Sequence, residues 1–550
     1  MKKTILIVGG GISGLIASAN IKHKHPYYNV ILVEKNDVLG GRLFCTTKKD
    51  WTYNNGPSWY WMDDIIKKVY SEIGINPEDV YTITELNPQY KLILESKNVL
   101  VPNNLEEFRA MISVFDSKCL SKFDTFIENN KYKYNLITSL FLNYYNLSLT
   151  EYFSILLPYY VYKLDLFKSY RDTVNISSNK NVQTLMEWPS VFLGSSPKNI
   201  SGLFSFLTYS MIVNGTSIPK NGMISIIELL ENHIDSLNVN VIKEESLYHL
   251  NIKHNTVEEA IILDKHYNER TIKVDSIICA CDYKYIENIL PNKFRSYPKV
   301  YWDKQVMCPS AIIFNVMLDI KIPHLYNHTL FFDTPMDTHL ECIYNTNNMP
   351  NEPLFYINKY SNSIDCDKLF ILIPSNLNNE LCHYEMNQDE INRLFNYCMK
   401  KLEDKYNLPF INHIIKYDHT LNENFRYRFY AYKGNAYGLA CDNYQLGFFR
   451  PKLKSRYLTN LYYCGQMSNP GPGIPTVMIS GLLASNLVLQ ELNYKDTLFY
   501  KMVRFFSNVW ILITNMIVMM VTIGIDKDWI KKEFNYVFFG NVEEYNSFNY

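Results

Sequence analysis

Gly9, Gly11 and Gly14 follow an apolar run, TILIV at 4–8, and lead into LIASANI, the spacing of a phosphate-binding turn between a strand and a helix. The first glycine permits the tight turn. The second lets backbone approach a pyrophosphate, and the third lets helix and strand pack closely. The helix start then offers unpaired N–H groups and a positive dipole end to the phosphates. A second apolar run, NVILVEK, reaches Glu34 and Lys35, with Glu34 twenty residues after Gly14. An acid there accepts the ribose hydroxyls of an adenine dinucleotide.

Two further segments bear on which dinucleotide this is. NDVLGGR supplies Gly40, Gly41 and Arg42, and DWTYNNGPSWYWM supplies Gly56, Pro57 and Ser58. A second glycine pair of this kind is similar to that of many two-dinucleotide flavoproteins, where its backbone borders ribose and phosphates. Gly56, Pro57 and Ser58 are then expected beside the flavin. Together these segments favour FAD over NAD.

Far along the chain, LTNLYYCGQMSNPGPGIPTVMISGLLASNLVLQEL reads as a strand at 461–464, a Gly/Pro turn and a helix from about Pro475. Proline suits a first helical turn, because its missing N–H would be unpaired there anyway. Ser480, Gly481, Ala484 and Ser485 let that helix approach another element closely. Its start, around Gly465, Gly473, Ile474 and Pro475, is placed to face the flavin and stabilise the reduced ring.

Positioning these pieces takes a domain assembled from both termini and a middle segment. The middle segment begins near IPKNGMISIIELLENHI, continues through a strand at 239–243 and a β-segment near Leu247, and ends in VDSIICACDY. The expected class is α/β: a discontinuous Rossmann-like FAD-binding domain plus an α+β substrate domain with a helical, membrane-facing part. Residues 1–100, 215–300 and 455–495 are assigned to the first. Residues 101–214 and 301–454, with a helical lid, are assigned to the second.

Bulk numbers remove other classes. A chain of 550 residues with formal net charge −1 carries no basic field for nucleic acid. The 11 cysteines include no C-x-x-C, so no metal site is expected. Ser-His-Asp constellations and P-loops are also missing from the sequence. Aromatics reach 15 %, which suits an apolar tunnel or a membrane interface.

Several blocks, in order, resemble the bacterial and fungal phytoene-desaturase family within the FAD-dependent amine-oxidase clan. They are SVFLGSSPKNISGLFSFLTY (190–209), SIPKNGM (217–223), CPSAIIFNVMLDIKIPHLYNHTLFF (308–332), EPLFYINKYSNSID (352–365), FILIP (370–374), NENFRYRFYAYKGNAYGL (422–439) and the 448–475 block. The resemblance spans about residues 4 to 490. It implies FAD as cofactor, a long polyene substrate, and removal of two hydrogens from a C–C bond, one as hydride to flavin N5. In such flavoproteins backbone near Leu247 contacts adenine. Where the family often has Thr-His before the Pro-Gly turn, Ser468 and Asn469 stand here, so no catalytic side chain transfers from that turn. Asn469, Tyr437, Arg426, Glu423, Asp165 and Asp172 are candidate proton acceptors, with no single assignment. A carotenoid isomerase, retinol saturase or polyene oxygenase would use the same scaffold. Prenyl-binding escort proteins share a related fold without catalysis.

Polyene substrates partition into bilayers, so a membrane-associated enzyme on the cytoplasmic side is expected. VWILITNMIVMMVTIGI (509–525) runs seventeen residues without a charge, at the short edge of the roughly 17–25 that span a bilayer. Residues 496–550 are read as a hydrophobic anchor and tail. YNLITSLFLNYYNLSLTEYFSILLPYYVYKLDLF (134–167) reads as helices broken near Pro158, either a membrane-entry pair or the core of the substrate domain.

Overall fold

Apolar side chains cover both faces of Thr4–Val8 and Asn29–Glu34, the pattern of parallel strands buried on both sides. In the computed structural model these two lie at the centre of a five-stranded parallel sheet. Its order is Leu461–Tyr463, Ser276–Cys279, Thr4–Val8, Asn29–Glu34, Asn240–Lys243. The structure describes residues 2–48, 51–141, 145, 158–346, 348–360, 366–377, 386–494 and 513. Alternation sorts the sheet's side chains into two cores. Ile5, Ile7 and Leu32 pack toward the helices, while Leu6, Val8 and Val33 pack toward an antiparallel three-stranded layer, 245–273, and the segment after it.

Helix Ile12–Lys24 lies on the first of those faces, with Lys22, His23 and Lys24 in its last turn, where cations oppose the dipole's negative end. Gly14 is what seats it. A Cβ there would sit 2.0 Å from the Gly9 carbonyl oxygen. The long helix Ile474–Tyr494 packs against it through the small residues singled out in the sequence. Gly481 brings its backbone against Ser13, and Asn20 Nδ2 donates to Ser485 Oγ at 2.7 Å. Chain ends more than 450 residues apart in sequence are thus closed into one layer.

A second sheet of seven strands has the order Ile414–Thr420, Ser310–Leu318, Lys368–Ser375, Phe355–Lys359, His328–Phe332, Tyr90–Leu94, Asn98–Val101. Here the sequence boundary at residue 100 is corrected. Residues 91–94 pair in parallel with 329–332, and 90–93 pair with 98–101, so 90–101 belong to this sheet and not to the dinucleotide part. One face packs on the amphipathic helix Gln388–Tyr406 through Phe314, Ile371 and Leu394. The opposite face, with Ile313, Leu330, Phe332 and Leu372, borders a cavity.

Helices Leu105–Phe115, Leu120–Phe141 and Ser205–Val213 form the helical part between 101 and 214. Lys133, almost wholly buried, is held there by Asp165 at 2.5 Å and by Ser205 Oγ at 3.0 Å. The membrane-facing role expected of this part gains no spanning element. No helix among the described residues is long and apolar enough to cross a bilayer. The run 509–525 and the anchor 496–550 lie outside the described residues, Ile513 excepted.

Candidate active site

The strand ends, the glycine turns and the concave face of the second sheet enclose one cavity of about 420 Å³, within the range of cofactor and ligand sites. At one end its wall is bare backbone. A Cβ placed on Gly11 would meet only Gly41 Cα, at 3.8 Å, and the two glycine turns are bridged to each other by Gly40 N–H donating to Gly10 O at 2.8 Å. No side chain caps the helix that starts at Ile12, so its first N–H groups are left for a ligand beside Gly11, Ile12 and Ser13.

Glu34 is fixed in this end. Its carboxylate accepts from Gly10 N (2.7 Å), Asn36 N (2.9 Å) and Asn36 Nδ2 (2.6 Å). That fills three of roughly four acceptor positions and leaves one for a hydroxyl. Lys35 is drawn off the ligand path: its ammonium lies 3.6 Å from the Tyr430 ring centroid, and it donates to Tyr427 O. Arg42 also lines this end of the cavity. Burial lowers its pKa to about 10, opposed by the nearby Asp282 carboxylate. Its Nη atoms reach Gln466 Oε1 at 2.8 and 3.2 Å, with the amide oriented to accept, and its Nε has no partner among the described residues. A buried guanidinium lining the same cavity as the bare glycine backbone fits an anionic, phosphate-bearing cofactor.

Gly9, Gly11, Glu34, Lys35, Gly40, Gly41, Arg42, Gly56, Pro57, Ser58, Leu247, Gly473, Ile474 and Pro475 all line this one cavity. Gly14 and Gly465 do not. Gly14 serves helix packing, and Gly465, with φ +109°, turns the chain while its N–H donates to Ser480 Oγ. The helix start at Ile474 comes from the other terminus, as the sequence implied. Arg450 is buried beneath the Gly471 turn and donates to the Leu439 and Ala440 carbonyls at 3.1 and 3.3 Å.

Several lining residues escaped sequence reading. Helix Asn422–Phe429 brings Arg428, Phe429 and then Tyr430 over the dinucleotide end. Arg428 stacks on Phe44 at 4.1 Å, and Tyr430 stacks on Tyr285 at 4.2 Å. Asp282 caps Tyr283–Ile289 and also accepts from Tyr432 N, and burial raises its pKa against these bonds. The only available signal was the second aspartate of VDSIICACDY, next to its last residue, a capping residue before a helix.

Beyond the glycine turns the cavity widens into a chamber of carbon. Trp59 sits at its centre, within 5.1–5.9 Å of Trp61, Trp188, Phe192 and Tyr356 ring centroids. The charged residues that line the cavity (Glu34, Lys35, Arg42, Glu245, Asp282, Arg428) all belong to the dinucleotide end. His339 borders the chamber as a neutral imidazole, its pKa lowered to about 4 by burial, with Nε2 donating to Pro374 O and Nδ1 accepting from Leu354 N.

Of the candidate proton acceptors, Tyr437 alone lines the cavity. Asp165 is committed to Lys133 and Lys168, and Asp172 to the Ser169 hydroxyl. Asn469, Arg426 and Glu423 are not among the lining residues.

Comparison with known proteins places these features. Residues 7–73 match the family model for an NAD(P)-binding Rossmann-like domain. The chain is 23 % identical over 499 residues to the carotenoid 3,4-desaturase of Haloarcula japonica, covering 89 % of this chain and 98 % of that one. It is 23 % identical over 519 residues to a 4,4'-diapophytoene desaturase (4,4'-diaponeurosporene-forming) of Staphylococcus haemolyticus, covering 89 % and 99 %. Among solved structures, cyclohexylamine oxidase from Brevibacterium oxydans superposes with a TM-score of 0.55 at 12 % identity, over 90 % of this chain and 100 % of that one.

Proposed function

We infer that this chain belongs with the carotenoid desaturases, as a flavin-dependent oxidoreductase that introduces a C=C bond into a polyene precursor. One observation carries the reading: a single cavity joins a glycine-walled dinucleotide end to a chamber whose lining holds no charged side chain. The polar end suits a redox cofactor. The carbon end suits a substrate that is itself hydrocarbon.

FAD is the cofactor this reading names. Backbone at Gly11 and the N–H groups of Ile12 and Ser13 would hold the pyrophosphate, Glu34 the ribose, and Arg42 with the helix start at Ile474 the flavin side. When bound, FAD supplies the hydride acceptor. The protein's own work is positional. Trp59, Trp61, Trp188 and Phe192 clamp an extended chain and keep water out, which protects a hydride in transit. No nucleophile is required, because the allylic position and the growing conjugation ease hydride loss. Protein denatured in acid should release FAD, close to one equivalent per chain. Release of a nicotinamide dinucleotide, or of none, would contradict the assignment.

The substrate's solubility calls for a bilayer contact. Tyr159, Tyr162 and Phe167 are 58, 72 and 86 % exposed, with Lys163 and Lys168 alongside. Aromatic and basic side chains together favour an anionic interface. Anionic vesicles should pellet the protein, and replacing the three aromatics by serine should weaken that at least threefold. Unchanged pelleting would move the contact elsewhere on the chain.

A further inference from the structure

The cavity face of the seven-stranded sheet is carbon except at two adjacent strands. Ala311, Ile313, Leu330 and Phe332 present apolar groups, whereas Tyr356 presents a phenol. His328, two positions before Leu330 and therefore on the same face, presents an imidazole. The Tyr356 oxygen lies 2.6 Å from His328 Nδ1 and 2.8 Å from Ser58 Oγ. All three side chains are buried. Ser58 and Tyr356 line the cavity. His328 sits behind them, covered by Trp59, whose ring stacks on the imidazole at 4.0 Å. Its Nε2 has no hydrogen-bond partner among the described residues.

Packing does not call for this chain of polar groups. A buried ring nitrogen without a partner is destabilising, and a leucine or phenylalanine would fill the same face without that cost. What the arrangement provides is directionality. In a neutral imidazole one nitrogen donates and the other accepts. With Nδ1 accepting from the phenol, Nε2 keeps its hydrogen and Nδ1 is the open basic site. Burial holds the ring neutral, its pKa pushed down to about 3.

We propose that Tyr356 takes the proton of the desaturation and passes its own hydroxyl proton to His328 Nδ1. The proposal deepens the desaturase reading above and rests on it. As hydride leaves one substrate carbon for the oxidised flavin, the C–H bond on the neighbouring carbon breaks. Its electron pair becomes the second bond of the new C=C. The proton joins Tyr356 Oη while the hydroxyl proton moves to Nδ1, so the phenol stays neutral and the imidazole becomes imidazolium. FAD, when bound, would take the hydride and with it the compensating negative charge. Because a lone imidazolium is disfavoured in this pocket, the relay stays empty until that charge develops, which ties proton transfer to hydride transfer. Ser58 fixes the orientation of the phenol.

Two readouts test this. In the full chain labelled with ¹⁵N-histidine, without substrate, His328 should show the Nε2–H tautomer, assigned with His328→Gln, and Tyr356→Phe should shift its Nδ1 resonance. An Nδ1–H tautomer would overturn the relay. In anaerobic single turnovers with phytoene in vesicles, Tyr356→Phe should reduce flavin about 100-fold more slowly than wild type, at unchanged flavin content and substrate affinity. His328→Gln, which keeps an acceptor for the phenol but takes no proton, should fall as far. Rates within twofold of wild type for either variant overturn the proposal while leaving the desaturase reading intact. A wild-type flavin that no polyene reduces overturns both.

Discussion

Gly11→Val is expected to fold as stably as the parent and to retain no flavin. Backbone at Gly11 is extended, φ −72° and ψ 175°, so a valine is sterically acceptable there. In the protein itself its Cβ meets nothing closer than Gly41 Cα at 3.8 Å. Because Gly11 lines the cavity, the added methyl groups are expected to take up space assigned to the pyrophosphate. A change in stability of at most about 1 kcal/mol should accompany a loss of flavin affinity of 100-fold or more, roughly 2.7 kcal/mol. Thermal melting of the flavin-free protein and the ratio of visible to ultraviolet absorbance after purification separate the two. A yellow variant would mean the cofactor lies elsewhere.

The opposite signature is expected of Gly481→Val, which should cost stability first and flavin as a consequence. A Cβ on Gly481 would stand 2.2 Å from Ser13 O and 3.0 Å from its carbonyl carbon, both backbone atoms of the first helix. Neither helix can yield without breaking the Asn20–Ser485 bond between them or moving the Ile474 helix start away from the cavity. Overpacking of this kind costs about 3 kcal/mol. Gly481→Ala sharpens the point through its sign. In a free helix that change stabilises by about 1 kcal/mol, but here it should destabilise. Denaturant midpoints at constant slope measure both. Stabilisation by the alanine would refute the close contact between the two termini.

What the sequence disclosed, and what it hid, follows from how far each feature depends on distant partners. Gly9, Gly11 and Glu34 are readable because a phosphate turn fixes its residue types within one strand–helix–strand unit. Gly14 and Gly481 are readable as small residues, although only the structure shows that Gly481 meets Ser13. The membership of 90–101 in the second sheet was hidden, since residues 91–94 find their partners at 329–332 and nothing local encodes that pairing. Trp59 and Tyr356 were hidden for another reason. In a chain where 15 % of residues are aromatic, one more tryptophan or tyrosine carries little information until its neighbours are known. Arg428 and Tyr430 lay inside a segment already matched to the family, yet their approach to Lys35 and Tyr285 depends on a helix placed by the second sheet.

Cofactor and substrate are assigned to one cavity, so the reaction itself is the sharpest test. Expressed in a bacterium that accumulates phytoene, the chain should yield coloured extracts whose new visible bands report a lengthened conjugated system, while Gly11→Val expressed at the same level yields none. Unchanged phytoene beside a purified protein that carries flavin would contradict the assignment of phytoene-type polyenes as substrate.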